Sequence, residues 1–540
     1  MLQAMFNPFT SGPVLASLGA VIAAGLGALG AAIGIGYSGS AMIGTIAEKP
    51  ATFSKAMISV VLAEALAIYG LLSAFMVIMR LSETLTYAQG MILFAAGLAI
   101  GLAAIGGGIG IAKAGSSMCT AIATAPETFS KSLVSVVLAE ALAIYGLLSS
   151  FMLIMRVDQV TNPAQGLLGF AAALAVGLAT LGGGLGIAAS GSALSESLVK
   201  APGTFSKGLV STVLAEALAI YGLLAGFMLI MRIDPSMVDS GQALVGMAAA
   251  MAIGLAALGG GIGIARAGAS LSRSLVDSPD VFSKGLVAVV LAEALAIYGL
   301  LASFMLIMRI GQIAPGTPDW MMAMGAALGV GLAAIGAGYG IARAGASLVR
   351  SVAAAPATFS KGLVAVVLAE ALAIYGLLIS FMVIMRVGQG VNTMSDAILA
   401  LSAGIGIGLA AIGGGVGIAL GGESLAASLR DAPETFSKSL VAVVLAEALA
   451  IYGLLAAFML IMRMGGGAAQ SAAFVGMAAA LTVGLGGFCA GLAIGLAGRS
   501  MIRAMVRAPA VFSKSMVPVV LAEALAIYTL LVAFMLIMRI

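Results

Sequence analysis

The 540-residue sequence contains no histidine and only two cysteines, Cys119 and Cys489. This removes the commonest zinc and haem ligands and leaves no basis for a disulfide framework. Charge is scarce too, since only 9% of the residues are Asp, Glu, Lys or Arg, against about 25% in soluble globular domains. The net charge of +4 is small, and no basic stretch supplies the electrostatic footprint of a nucleic-acid binder. The N-terminal MLQAMFNPFTSGP has no basic leader and no small-residue cleavage site, so the first apolar run is expected to serve as its own insertion signal.

What is abundant is apolar surface. Hydrophobic residues make up 62% of the chain and the mean hydropathy is +1.19. Apolar runs of 18 or more residues read as transmembrane helices. The 74 glycines are roughly twice the usual share of about 7%, an excess that suits close helix packing in lipid rather than disorder.

The octapeptide LAEALAIY occurs seven times, starting at residues 62, 138, 214, 291, 368, 445 and 521. Each copy places one glutamate inside a long apolar run: Glu64, Glu140, Glu216, Glu293, Glu370, Glu447 and Glu523. A carboxylate within a membrane span is costly and is read first as part of an ion or proton path. Successive glutamates are 76 or 77 residues apart. The chain therefore divides into units 1–80, 81–156, 157–232, 233–309, 310–386, 387–463 and 464–540. In each, a glycine-rich helix precedes a short polar turn, such as TAPETFSK at 124–131, and then a helix that carries the glutamate and ends at IMR. Pro50, Pro126, Pro202, Pro279, Pro356, Pro433 and Pro509 mark the turns, because proline disfavours helix at the residue before it. The expected fold is an all-α membrane protein of seven tandem helical hairpins, fourteen helices in all.

Eighteen of the 25 basic residues lie within hairpins and turns, and the other seven are the arginines of IMR in the links and at the C-terminus. This asymmetry assigns the turns to the cytoplasm and the links and both termini to the outer side. Glycines at four-residue spacing, as in Gly97–Gly101 and Gly106–Gly110, form a flat stripe on which helix backbones approach closely. The glycine helices would then pack side by side on an inner wall, with the glutamate helices outside them near the lipid bilayer. The GGGIGIA runs at 106–112 and 259–265 lie within spans and lack the GK[ST] ending of a phosphate-binding loop.

The segment AEKPATFSKAMISVVLAEALAIYGLL at 47–72, preceded by GAAIGIGYSGSAMIG at 30–44, closely resembles the proteolipid subunit of V-type and A-type rotary ATPases. The resemblance extends over all seven hairpins. It implies a non-catalytic subunit of a membrane rotor ring, with no active site and no cofactor of its own. Each glutamate would take an ion from one half-channel of a static membrane subunit, ride around the ring, and release the ion into the other half-channel. The implied partners are that stator subunit, the central stalk gripped by the cytoplasmic turns through Phe53-Ser54-Lys55 and its equivalents, and further copies of the chain. Familiar members have one or two hairpins, and of two usually one bears the glutamate; here all seven do. A secondary transporter is the alternative, but those use inverted repeats and a single midplane site. A pore-forming assembly is a further alternative, and the glycine and alanine stripe does not favour it.

Desolvation disfavours the charged form of a carboxyl among apolar neighbours, so each glutamate is expected to face lipid only when loaded. Leaving it bare at the bilayer centre costs at least about 2.5–3.5 kcal/mol. Tyr69, Tyr145, Tyr221, Tyr298, Tyr375, Tyr452 and Tyr528, each five residues after a glutamate, either pack or bring a hydroxyl to a glutamate, that of a neighbouring hairpin first. Protons are favoured over sodium. Every glutamine (Gln3, Gln89, Gln159, Gln165, Gln242, Gln312, Gln389 and Gln470) lies at the N-terminus or in a link, and a lone carboxylate is a poor cage for a hard cation that needs several oxygens.

Lys113, Arg266 and Arg343 lie 13 residues before their turn prolines, and Glu140, Glu293 and Glu370 lie 14 after. At about 1.5 Å per residue each pair shares a depth. Either the base modulates the glutamate by an internal ion pair, or it faces the ring interior or snorkels to the cytoplasm, and the second reading is preferred. The last unit departs from the repeat with Pro518, Thr529 and Phe488-Cys489, and is expected to lie where chains meet.

Overall fold

The computed structural model describes residues 11–234, 237, 239–390 and 392–540. Gln3 and the rest of the N-terminal ten residues lie outside that range. Among the described residues there is no strand, and fourteen helices are long and apolar enough to cross a membrane.

They form seven successive hairpins: α1 Gly12–Glu48 with α2 Phe53–Met79, α3 Tyr87–Thr124 with α4 Phe129–Met155, α5 Pro163–Lys200 with α6 Phe205–Met231, and α7 Ser240–Asp277 with α8 Phe282–Arg309. Then come α9 Asp319–Ala354 with α10 Phe359–Ile384, α11 Met394–Ser428 with α12 Phe436–Met462, and α13 Gln470–Arg507 with α14. The last helix starts as Phe512–Ser515 and resumes as Val517–Ile537; Pro518, which has no N–H for the helical ladder, sits at the break.

The turns reuse one local solution. In the second hairpin Ala125, the residue before Pro126, leaves the helical region at φ −134°, ψ 85°. Pro126–Thr128 then forms a single 3₁₀ turn, and the Thr128 hydroxyl donates to the Ala125 carbonyl at 2.7 Å. Proline forces the departure, and the threonine satisfies a carbonyl that the broken helix leaves open. Thr52, Thr204, Thr358 and Thr435 repeat the bond. At the opposite ends, Thr86, Asn162 and Thr393 begin α3, α5 and α11 with capping boxes, which satisfy otherwise orphaned N–H groups.

The chain forms two compact units, residues 1–258 with 303–316 and residues 259–302 with 317–540. In the first, the glycine-rich helices α1, α3 and α5 pack side by side, and each glutamate helix packs on the glycine helix of its own hairpin. Glycine is required where two glycine helices meet. A Cβ on Gly108 would overlap the carbonyl oxygen of Gly30 and stand 2.8 Å from its Cα. Lateral polar contacts add to this, such as the 2.6 Å bond between the Ser73 and Ser150 hydroxyls of α2 and α4.

The second unit repeats the arrangement with α9, α11 and α13. Ser347 and Ser351 of α9 donate to the Glu423 and Ala426 carbonyls of α11 at 2.8 and 2.5 Å. In both units the glutamate helices turn one apolar face outward, Val137, Ile144, Leu148, Phe151 and Met155 in α4 and Val367, Ile374, Leu378 and Phe381 in α10. An exposed apolar face of this length on every such helix is what a lipid solvent requires and what water would penalise.

Candidate ion-carrying site

The glutamates sit within the second helices, and Glu140, Glu216, Glu370, Glu447 and Glu523 each face a tyrosine of the preceding hairpin. Glu293, Glu370 and Glu447 are buried, Glu140, Glu216 and Glu523 are half-buried, and Glu64 is exposed. The octapeptide around each glutamate is the same, so burial here is decided by neighbours.

The neighbour is a tyrosine. The Tyr69 hydroxyl donates to Glu140 Oε1 of the next hairpin, Tyr145 to Glu216, Tyr298 to Glu370 and Tyr375 to Glu447. Tyr452 donates to Glu523 at 2.9 Å. In each pair the partner is the glutamate of the following hairpin. A buried carboxyl without a partner would bear the full desolvation penalty, so one phenolic donor per site is a substantial share of what holds it. Tyr528, in the last hairpin, is 63% exposed.

The basic residues at similar depth are placed differently from one another. Lys113 and Arg266 are exposed on their glycine helices. Arg343 is half-buried, and its Nη2 and Nε donate to Glu423 Oε2 of α11 at 2.6 and 2.9 Å. The carboxylate Arg343 bonds is thus on the neighbouring glycine helix. Sequence reasoning passed over Glu423, because an 80-residue separation between α9 and α11 is visible only once the hairpins are stacked.

The lysines of the FSK turns also reach sideways. Lys55 donates to the Pro126 carbonyl at 3.2 Å, Lys131 to Pro202 at 2.9 Å, Lys284 to Pro356 at 3.3 Å and Lys361 to Pro433 at 3.3 Å. Each also lies over the phenylalanine ring of the next turn, at 5.7 Å for Lys55 over Phe129 and 5.6 Å for Lys361 over Phe436, within cation–π range. On the link side Arg80 pairs with Asp158 at 2.8 Å.

Fourteen spanning helices in seven like hairpins, each with one carboxyl at mid-span, define an integral multi-pass membrane proteolipid built by repetition. The chain belongs to the ATP synthase C-subunit family, which matches it seven times, at residues 18–77, 94–153, 170–229, 247–306, 324–383, 401–460 and 477–536. It is similar to the K subunit of the A-type ATP synthase of Methanocaldococcus jannaschii, 35% identical over 221 residues, which are 41% of this chain and 97% of that protein. It is also similar to the 16 kDa proteolipid of V-type proton ATPases. The Nephrops norvegicus protein is 32% identical over 151 residues (28% of this chain, 92% of that protein). The Homo sapiens protein is 33% identical over 147 residues (26% and 95%). The chain is thus a proteolipid of the V/A-type ATPase kind, with seven hairpins in one polypeptide.

Proposed function

We propose that this chain is the ion-carrying part of a rotary ATPase rotor ring, and that each of its seven glutamates carries one proton. The observation that carries the reading is the glutamate at mid-span, walled by apolar helices and served by one tyrosine hydroxyl from the preceding hairpin. In lipid such a carboxyl is stable only in its neutral, loaded form, since the bare charge costs at least about 2.5–3.5 kcal/mol. Ionisation is then confined to a water-filled half-channel in a stator subunit. Exchange of ions between two such channels converts ring rotation and transport into one another.

The single phenolic donor supports protons over sodium, because a hard cation requires several oxygens. The turns face the cytoplasm and meet a central stalk, and the links and termini face outward. The turn lysines lie along the rim between hairpins, so the stalk meets a rim already tied together. Arg343, paired to Glu423, and the exposed Lys113 and Arg266 leave all seven sites active.

Carbodiimide labelling of native membranes, read by intact mass with and without sodium and across pH, tests this. Adducts on up to seven glutamates, governed by pH alone, are expected. Protection by sodium would overturn the proton assignment, and a ceiling of four adducts would mean that the hairpins bearing Lys113, Arg266 and Arg343 are silent.

A further inference from the structure

The tyrosine and turn-lysine contacts between neighbouring hairpins run in one direction. Tyrosine and lysine of one hairpin are the donors, and glutamate and the turn carbonyl of the next are the acceptors. Such an interface is heterologous, with different patches on its two sides. A chain of hairpins joined this way begins with an unused acceptor face and ends with an unused donor face. The structure has both. Glu64 is exposed and Tyr528 is 63% exposed, and neither has a hydrogen-bond partner among the described residues. Phe53, whose counterpart Phe129 lies under Lys55, is 49% exposed.

We infer that the last hairpin of one copy docks on the first hairpin of a second copy, so that Tyr528 completes the Glu64 site, and that this seam is wider than the glycine-helix contacts within either unit. The role given to Glu64 rests on the proposed function; the seam rests on geometry alone.

The widening follows from two residues. Where glycine helices meet, each supplies a glycine. Gly30 faces the Ala104 carbonyl of the next helix, and Gly108 of that helix faces Gly30. The same pairing recurs at Gly336 with Gly415 and at Gly413 with Gly491. In the repeat register, the position of Gly30, Gly106, Gly182, Gly259, Gly336 and Gly413 is held in the last hairpin by Cys489. The position of Gly108, Gly184, Gly261, Gly338, Gly415 and Gly491 is held in the first hairpin by Ala32. Both are exposed. The two positions that meet only between copies are therefore the two that carry a Cβ. Inside the chain a Cβ on Gly108 would stand 2.8 Å from Gly30 Cα. Carbon atoms rest at about 3.5–4.0 Å, so the helices at the seam stand further apart by about 1 Å.

The test is Ala32→Cys in the otherwise native chain, oxidised with copper phenanthroline in the intact membrane complex. After that widening, the Cα atoms of residues 32 and 489 fall in the range of about 4.4–6.8 Å that a disulfide spans. The expected product has the mass of two or more chains and disappears when Cys489→Ser is added. No linkage would refute the proposal. So would a link between residues 32 and 489 in a product of single-chain mass, which would mean that the chain closes on itself. Tyr528→Phe gives a second readout: carbodiimide reactivity at Glu64 should rise about two- to tenfold, the effect of one lost hydrogen bond, with Glu140 and Glu447 unchanged. Unaltered reactivity at Glu64 would refute completion of the site. Crosslinking without carbodiimide adducts on any glutamate would uphold the seam and remove the ion-carrying reading instead.

Discussion

Gly108→Ala and Gly44→Ala are the same chemical change in neighbouring hairpins, and the structure assigns them opposite signs. A Cβ on Gly108 overlaps the Gly30 carbonyl oxygen and stands 2.8 Å from Gly30 Cα, whereas a Cβ on Gly44 meets nothing within 4 Å. Relief at Gly108 requires α1 and α3 to separate by about 1 Å if carbon contacts are to reach about 3.5–4.0 Å. Overpacking against a backbone that cannot rotate away costs about 2–3 kcal/mol. Alanine recovers about 1 kcal/mol of helix propensity over glycine at either site. The net expectation is a loss of about 1–2 kcal/mol for Gly108→Ala and a gain of up to about 1 kcal/mol for Gly44→Ala. Titration of the purified chain with sodium dodecyl sulfate in mixed micelles, followed by circular dichroism, reads both as shifts of the unfolding midpoint. A Gly108→Ala midpoint at or above that of the parent would refute the close-packed glycine contact. A fall for Gly44→Ala matching that for Gly108→Ala would show that glycine serves this helix for some reason other than proximity.

Tyr375→Phe removes the hydroxyl bonded to Glu447, so carbodiimide reactivity should rise about two- to tenfold at Glu447 and stay level at Glu370, as mass spectrometry of the labelled peptides will show. Arg343→Gln leaves Glu423 without its 2.6 Å partner and should cost about 1–3 kcal/mol in the same detergent titration, with the double variant Arg343→Gln, Glu423→Gln recovering most of the loss. Asp158→Asn breaks an ion pair whose side chains are 38% and 70% exposed, and its midpoint should move by less than about 1 kcal/mol. Glu370→Gln keeps an oxygen for Tyr298 but cannot release a proton; ATP-driven acidification of vesicles should fall more than tenfold while the assembled complex is retained, and transport at the parent rate would contradict one obligatory site per hairpin.

The all-α hairpin architecture was legible in the sequence because its causes are local. Runs of apolar residues long enough to span a bilayer define helices regardless of context, and a proline after each glycine helix ends it within a residue or two. The mid-span glutamates were visible for the same reason, since a carboxyl amid apolar neighbours stands out without any knowledge of packing. Glycines at four-residue spacing announced that helices would meet closely, although not which glycine would face which carbonyl.

Pairing was decided only by tertiary structure. The sequence leaves open whether Tyr298 packs or brings its hydroxyl to a glutamate and on which side, and packing sets that the hydroxyl bonds Glu370 of the next hairpin. Arg343 and Glu370 share a depth in sequence arithmetic, yet the guanidinium bonds Glu423. Lys55 stands in sequence only as part of a turn expected to meet the stalk, and its reach to the Pro126 carbonyl across a hairpin boundary is seen only in the packed structure. Depth along a helix follows from counting at about 1.5 Å per residue. Direction around the axis, and the stagger between neighbouring hairpins, are set by how the glycine helices interlock, and that interlocking involves residues some 75 positions apart in the chain. Sequence thus determined what each hairpin is and where its carboxyl lies, while packing determined which hairpin serves each carboxyl, because a lateral bond depends on the rotation and register of two helices at once.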